Sequence, residues 1–311
     1  FVLSTKLFLF IRGKFMRPVK IITDSCSDLS KDLREKYDID YARMKTVYDG
    51  QETWASLDFE YYTPKELYDI MRNGKRVLTT QVPTEEFERV FTMYLEQGMD
   101  IIYIGCCLKQ SGSVNTGAVV RRKLLEKYTD ANVFCIDSLN SCIGEGMLAI
   151  RCAEYRDQGL DAKSIYEKIL TDRKKVNEFA TVHSLDCLKR AGRVKASSAF
   201  FGNLFGVKPI LIADVEGNQF GFKKVKGRKA SLQEIVSLMK EAVLEPENQT
   251  CYVMHADCEE EAKELAEIIK AEIPFKDIKL GIIGPIIGAS VGPDTIGLWA
   301  FGKEVTIGKS E

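Results

Sequence analysis

The sequence predicts an α/β protein of two domains. An N-terminal, mostly parallel, three-layer α/β domain covers 17–160, and a C-terminal α+β domain with a mixed sheet covers 161–311. Three observations carry this reading. At 311 residues the chain is long for one core. Up to Gly159, short apolar runs rich in β-branched residues alternate with helical stretches, the pattern of right-handed β-α-β crossovers. Beyond Gly159–Asp161 that alternation gives way to a hairpin signal and less regular strands.

In order, Phe1–Phe15 with Met16 precedes the first credible strand and is expected to be a disordered or spurious extension. Its Leu7–Ile11 run is too short for a signal peptide, and no A-x-A-like cleavage site follows. Lys20–Ile22 is a strand, and Ser27-Asp28-Leu29-Ser30 caps a helix over Lys31–Tyr37. Residues 39–62 are β-like around the turn Asp49-Gly50, and 45–62 reads as a β insertion. Thr63-Pro64 opens a helix to Arg72, Val77–Leu78 is a strand, and a further helix runs from Pro83 to Gln97. Strand Ile101–Ile104, helix 113–127, strand Val133–Ile136 and helix Gly144–Asp157 complete the first domain.

In the second domain, helix Ala162–Val176 leads to strand Glu178–Val182 and a short helix His183–Ala191. Ala196–Phe205 is expected to be helical. Lys208–Ala213 and Phe220–Val225 form a hairpin across Glu216-Gly217-Asn218. Helix Ser231–Leu244, strand Thr250–His255, helix Glu259–Ala271 and strand Ile278–Ile283 follow. Gly297–Gly302 and Lys303–Ile307 are expected to pair, and a helix is expected to start at Pro293 with Asp294 as its cap.

Charge and composition exclude several classes. Lys+Arg 44 against Asp+Glu 45 gives a net charge of −1, which favours neither nucleic acid nor an anionic membrane. No apolar run is long enough to span a bilayer. The 9 cysteines and 2 histidines show no zinc-binding spacing, and an odd, scattered set of thiols suits a reducing cytoplasm. Neither a Walker loop, a G-x-G-x-x-G signature nor a G-x-S-x-G elbow is present. Hence no catalytic residue, cofactor or metal is expected, and the chain reads as a binder before it reads as an enzyme.

The candidate site rests on four predicted strands that run into hydroxyl-bearing loops. These are Thr23-Asp24-Ser25, Thr79-Thr80-Gln81, Ser111-Gly112-Ser113 and Asp137-Ser138. In a parallel sheet, strand ends share an edge where ligands bind. Ser111-Gly112-Ser113 before a helix is the best anion candidate, because Gly112 lets backbone approach a ligand. Each loop also has a plainer reading as a cap or a support. Two basic turns, Lys189–Lys195 and Lys223–Lys229, read chiefly as solvated charge, with a phosphate-bearing partner as the alternative. The Gly-rich apolar stretch Gly281–Gly292 lets backbone pack close to a ligand or another strand.

Ile22-Thr23-Asp24-Ser25-Cys26-Ser27-Asp28-Leu29, Thr79-Thr80-Gln81, Gln110-Ser111-Gly112-Ser113, Ile136-Asp137-Ser138, Ala191-Gly192-Arg193-Val194, Gly202-Asn203-Leu204 with Lys208-Pro209-Ile210, and Gly288–Pro293 occur in that order. This set resembles the DegV family, bacterial fatty-acid-binding proteins that serve as the lipid-carrying subunit of fatty acid kinase. The resemblance implies a fatty acid held between two domains, with Thr79, Ser111 and Gly112 at its carboxylate and the acyl chain in the second domain. Thr23, Asp24, Ser25, Thr80, Gln81, Asp137 and Ser138 would support those contacts, and Arg193 and Lys195 would meet a kinase or phosphate. Ser290 stands where the family has histidine, and Asp294 where it has glycine. About a dozen buried methylenes at roughly 0.8 kcal/mol each would supply the gross affinity, so the hydroxyls need only place the carboxylate. A small-molecule phosphotransferase or hydrolase would instead need a filled second core and a base among Asp24, Asp137 and Asp294, and a pure interaction module would need no pocket.

Overall fold

The computed structural model describes residues 10–11, 14–195, 200 and 206–308. A short antiparallel pair, β1 (Phe10–Ile11) and β2 (Lys14–Phe15), comes first. The remainder of the extension expected over 1–16, apart from Met16, lies outside the described residues. β3 (Val19–Asp24) is buried along its whole length, as a strand covered on both faces requires, and passes through α1 (Lys31–Lys36) to β4 (Ile39–Ala42). β5 (Lys45–Tyr48) and β6 (Gln51–Trp54) close the hairpin at Asp49-Gly50, where φ is 51° and 73°. A capping box between Thr63 and Glu66 starts α2 (Pro64–Arg72).

β7 (Leu78–Thr80) corrects one expectation: it pairs antiparallel with β5 and does not enter the parallel sheet. The physical reason is its length and its side chains. Leu78 is 45% exposed, which suits the rim of a small three-stranded sheet and not a strand covered on both faces.

α3 (Thr84–Glu96), β8 (Asp100–Gly105), α4 (Ser113–Leu125), β9 (Val133–Asp137), α5 (Ile143–Asp157) and α6 (Ala162–Asp172) follow. The parallel sheet has the order β4-β3-β8-β9, so the strand order reverses between β3 and β8. Tyr103 of β8 meets Phe87 of α3 with ring centroids 4.9 Å apart. Phe134 of β9, in register with Ile102 and so on the other face, stacks on Tyr166 of α6 at 4.6 Å. Helices therefore cover both faces, and the layers are three. Since α6 packs here, the chain leaves this body at the 3-10 turn Arg173–Lys175, beyond Gly159–Asp161. The helix expected to reach Val176 stops at Asp172, because Val176 already begins a strand.

The second sheet is built from β10 (Val176–Thr181), β11 (Val194–Lys195), β12 (Val207–Ala213), β13 (Gln219–Lys226), β14 (Thr250–His255), β15 (Asp277–Ile282) and β16 (Ile296–Phe301). Its order is β11-β13-β12-β10-β16-β14-β15, with parallel pairing only at β11/β13 and β14/β15. α7 (Asp186–Ala191), α8 (Arg228–Ala242), α9 (Glu259–Glu272) and α10 (Pro285–Val291) complete it. The helix expected over 196–205 lies outside the described residues, save Phe200.

Two more expectations are corrected. Lys303–Ile307 forms no strand, because β16 already pairs on both sides, with β10 and β14. No helix starts at Pro293: Gly292 and Asp294 have φ of 82° and 61°, a turn feeding β16. The period of two sorts the sheet's faces. Phe179, Ile210 and Leu298 join the core beneath α8 and α9, while Glu178, Ala180, Leu211, Gln219 and Trp299 point at the first domain.

Candidate ligand-binding site

Between the two bodies lies a cavity of about 170 Å³. Its apolar wall comes from Ala180 and Leu211 of the second sheet, Leu188 of α7, and Ile283, Ile286, Ile287 and Val291 at and around α10. Its polar side comes from Thr79, Thr80 and Gln81 after β7, Ser111 and Gly112 before α4, Ser290 on α10, and Arg193. Of the hydroxyl-bearing loops singled out in the sequence, two thus line the cavity directly.

Those two loops are tied together. Ser111 Oγ accepts from Ser113 N at 3.3 Å and shares a 2.9 Å hydrogen bond with Ser113 Oγ, which accepts from Val82 N at 3.1 Å. Gln81 Nε2 donates to Thr116 Oγ1 at 2.8 Å. A Cβ on Gly112 would stand 2.2 Å from Gln81 Oε1, so the missing side chain makes room for this loop-to-loop contact. At the mouth, the exposed Arg193 donates from Nε to Gln110 O at 3.5 Å. Beside it Lys75, Arg76 and Arg190 share a smaller polar recess with Thr79, Arg193 and Ser290. The side chain of Lys195 lies outside the described residues.

Thr23, Asp24, Ser25, Asp137 and Ser138 stand behind the lining. Ser25 Oγ donates to Ala55 O at 2.7 Å and accepts from Met44 N at 3.0 Å, which docks the β5–β6 insertion. Asp137 Oδ1 accepts from Leu108 N and Leu139 N, and Ser138 Oγ donates to Asn140 O. Asp24 accepts from Tyr103 Oη at 2.6 Å and from the N–H groups of Cys26 and Cys106. Thr23 Oγ1 donates to Glu145 at 2.5 Å. Asp294 faces away from the cavity and is held by Arg72 at 2.7 Å. The three aspartates considered as catalytic bases are therefore absent from the lining.

Sequence reasoning missed two groups. Glu178 lines the cavity, accepts from Gln219 Nε2 at 2.8 Å, and takes 3.2 Å hydrogen bonding from Asn140 with its amide nitrogen turned inward. Burial pushes its carboxyl up to about 7. Its inward direction follows only from the register of β10, which periodicity alone does not anchor. The other is Glu145 on α5, which joins Asp24, already singled out with Thr23 and Ser25, in a buried acidic group at the carboxyl ends of β3 and β8. Burial raises the carboxyl of Asp24, and burial together with Asp24 raises that of Glu145 further. Burial likewise pushes Asp28 up to about 7.

A family profile described as "Uncharacterised protein, DegV family" matches residues 18–303. A DegV domain-containing protein of Clostridium perfringens is 35% identical over 287 residues, 92% of this chain and 98% of its own length. The chain belongs to the DegV family. Among solved structures, this DegV protein is similar to a stearic-acid-binding protein of Eubacterium ventriosum, at 27% identity and a TM-score of 0.81 over 92% of this chain and 98% of that one. A DegV protein of Thermus thermophilus described by its fatty acid binding matches its fold at 24% identity, with a TM-score of 0.82 over 92% and 100% of the two chains. Among the described residues, no helix of this DegV protein is long and apolar enough to cross a membrane.

Proposed function

We propose that this DegV protein binds a long-chain fatty acid in the interdomain cavity and presents the carboxylate to a separate fatty acid kinase for acyl-phosphate formation. The observation that carries the reading is that one interdomain cavity joins an apolar wall, Ala180, Leu188, Leu211, Ile283, Ile286, Ile287 and Val291, to a hydroxyl-bearing side formed by Thr79, Thr80 and Ser111 of the first domain and Ser290 of the second. A tail needs the former and a carboxylate the latter. Thr79, Ser111 and Ser290 are the carboxylate donors, with Gly112 shaping the loop. Thr23, Asp24, Ser25, Thr80, Gln81, Asp137 and Ser138 hold those loops in place. Arg193, with its basic neighbours in the polar recess, is the contact for the kinase or the phosphate, and Lys195 extends that turn. The protein acts in the cytoplasm as a carrier without catalytic residues or a cofactor of its own.

The test is mass spectrometry of an organic extract of the purified protein, together with uptake of stearate or oleate by the delipidated protein. A stoichiometric fatty acid is expected. A protein free of lipid that also takes none up overturns the reading.

A further inference from the structure

At the point where the strand order reverses, Cys26 follows β3, Cys106 follows β8, and Glu145 sits in the first turn of α5. One sulfur from each cysteine and one carboxylate oxygen of Glu145 all lie within 4.8 Å of one another, and all three side chains are buried. We propose that Cys26, Cys106 and Glu145 form a zinc site with a fourth coordination position open to the interdomain cavity. Nothing in this inference depends on which ligand the cavity holds.

A second, independent observation supports it. Glu145 Oε1 is engaged, taking the Thr23 hydroxyl at 2.5 Å and Asp24 N at 3.3 Å. Its Oε2, fully buried, has no hydrogen-bond partner among the described residues. A buried carboxylate oxygen left without a partner is costly, and such groups in a folded protein call for an ion or another partner. The charge around it points the same way. Asp24 and Glu145 are buried together, and no Lys or Arg among the described residues forms an ion pair with either. A divalent cation would balance them and would deprotonate the two thiols on binding.

The surrounding bonds hold these groups as a metal site requires. Asp24 accepts the backbone N–H of Cys26 at 2.9 Å and that of Cys106 at 3.2 Å, which clamps both cysteine-bearing loops to one carboxylate. Thr23 and Asp24 N fix the plane of Glu145 through its other oxygen. Two thiolates and one carboxylate make a donor set that selects zinc over calcium or magnesium. Cys26 and Cys106 also line the cavity, which gives a metal ion an entry path to the site. Three protein ligands with one free position is the arrangement of zinc centres that keep a site for water or a substrate oxygen.

The experiment uses the full chain, delipidated, kept reduced and stripped of metal. Zinc is titrated against a chromophoric chelator, and cobalt is titrated with detection of the thiolate-to-cobalt charge-transfer absorption. One equivalent of each metal is expected, with the charge-transfer band in wild type. Cys26→Ser with Cys106→Ser should remove the band and weaken zinc binding at least ~100-fold, whereas Cys251→Ser, in the far core, should change neither. Asp24→Asn should weaken zinc about 10- to 100-fold while the band persists. Absence of the band and of one-equivalent zinc uptake in folded wild type overturns the proposal, whatever the variants do. So does zinc binding that survives loss of both cysteines. Lipid uptake measured on the same sample separates failure of this site from failure of the fatty-acid reading.

Discussion

At the scale of residues, Glu178 is the most informative side chain that sequence reasoning passed over. Its carboxyl ionises at about 7 in the fold, against 4.5 ordinarily, because burial disfavours its charge. Between those values the folded protein holds a proton on Glu178 that the unfolded chain has released, so the stability this group contributes is fully present below about pH 4.5 and is lost as pH rises through 7. The loss amounts to ~3 kcal/mol. Glu178→Gln should flatten that part of the stability-against-pH curve in urea unfolding; an unchanged difference between pH 5 and pH 8 would contradict it. Since Ser290 carries no charge and Glu178 lines the cavity, Glu178→Gln should also reduce any weakening of fatty-acid binding above neutral pH. Thr79→Ala and Ser111→Ala should each remove about 1 kcal/mol of hydrogen bonding to the carboxylate, a small part of a tail-driven affinity. Acyl-phosphate formation with a partner kinase should therefore fall more than lipid uptake; equal turnover in both variants would remove these residues from the site. That Thr79, Ser111 and Ser290 line one cavity was anticipated through the family resemblance that their ordered motifs carry. Glu178 and the Cys26–Cys106–Glu145 group were not, because the register of a mixed sheet and the meeting of three separate segments are set by packing.

Among the elements, β3, β8 and β9 were legible because a buried parallel strand must be a short run of apolar, β-branched residues. β7 was misassigned because three residues carry no periodicity to separate a rim strand from a central one. α10 was overlooked within a Gly-rich stretch, although Gly284-Pro285 places proline at its first turn, a usable start signal. The reason this helix needs glycine is contact: a Cβ on Gly288 would lie 2.5 Å from Tyr68 Oη, whose hydroxyl donates to Ile283 O at 2.7 Å. Tyr68 is fully buried in α2, so it has nowhere to move. Gly288→Val should then cost about 1–3 kcal/mol by overpacking and weaken lipid uptake, since Ile286, Ile287 and Ser290 move with the helix. An unfolding midpoint equal to wild type would show that α10 is not clamped against α2.

For the whole molecule, the change of pattern near Gly159 signalled a second body, which the chain enters only after the 3-10 turn Arg173–Lys175, and a ligand between the domains was expected from the family resemblance alone, because no local signal reports how two bodies face each other. Their contact combines apolar packing with a polar latch: Arg72 of α2 bonds Asp257 at 2.5 Å and Asp294 at 2.7 Å. Arg72 is 32% exposed, so each such pair is screened and contributes at most about 1 kcal/mol. An acyl chain filling the cavity would contribute more. A ligand that binds only the folded protein stabilises it by about 2.7 kcal/mol at a hundred times its Kd, and this one would touch both bodies at once. Delipidated protein should therefore melt at a lower temperature than oleate-loaded protein, and its Arg72→Met variant lower still. Loading should recover most of the variant's deficit, because the tail substitutes for the latch in holding the domains together. Differential scanning calorimetry of the four samples decides the matter: if loading leaves the transition of both proteins where it was, the chain is not buried between the domains.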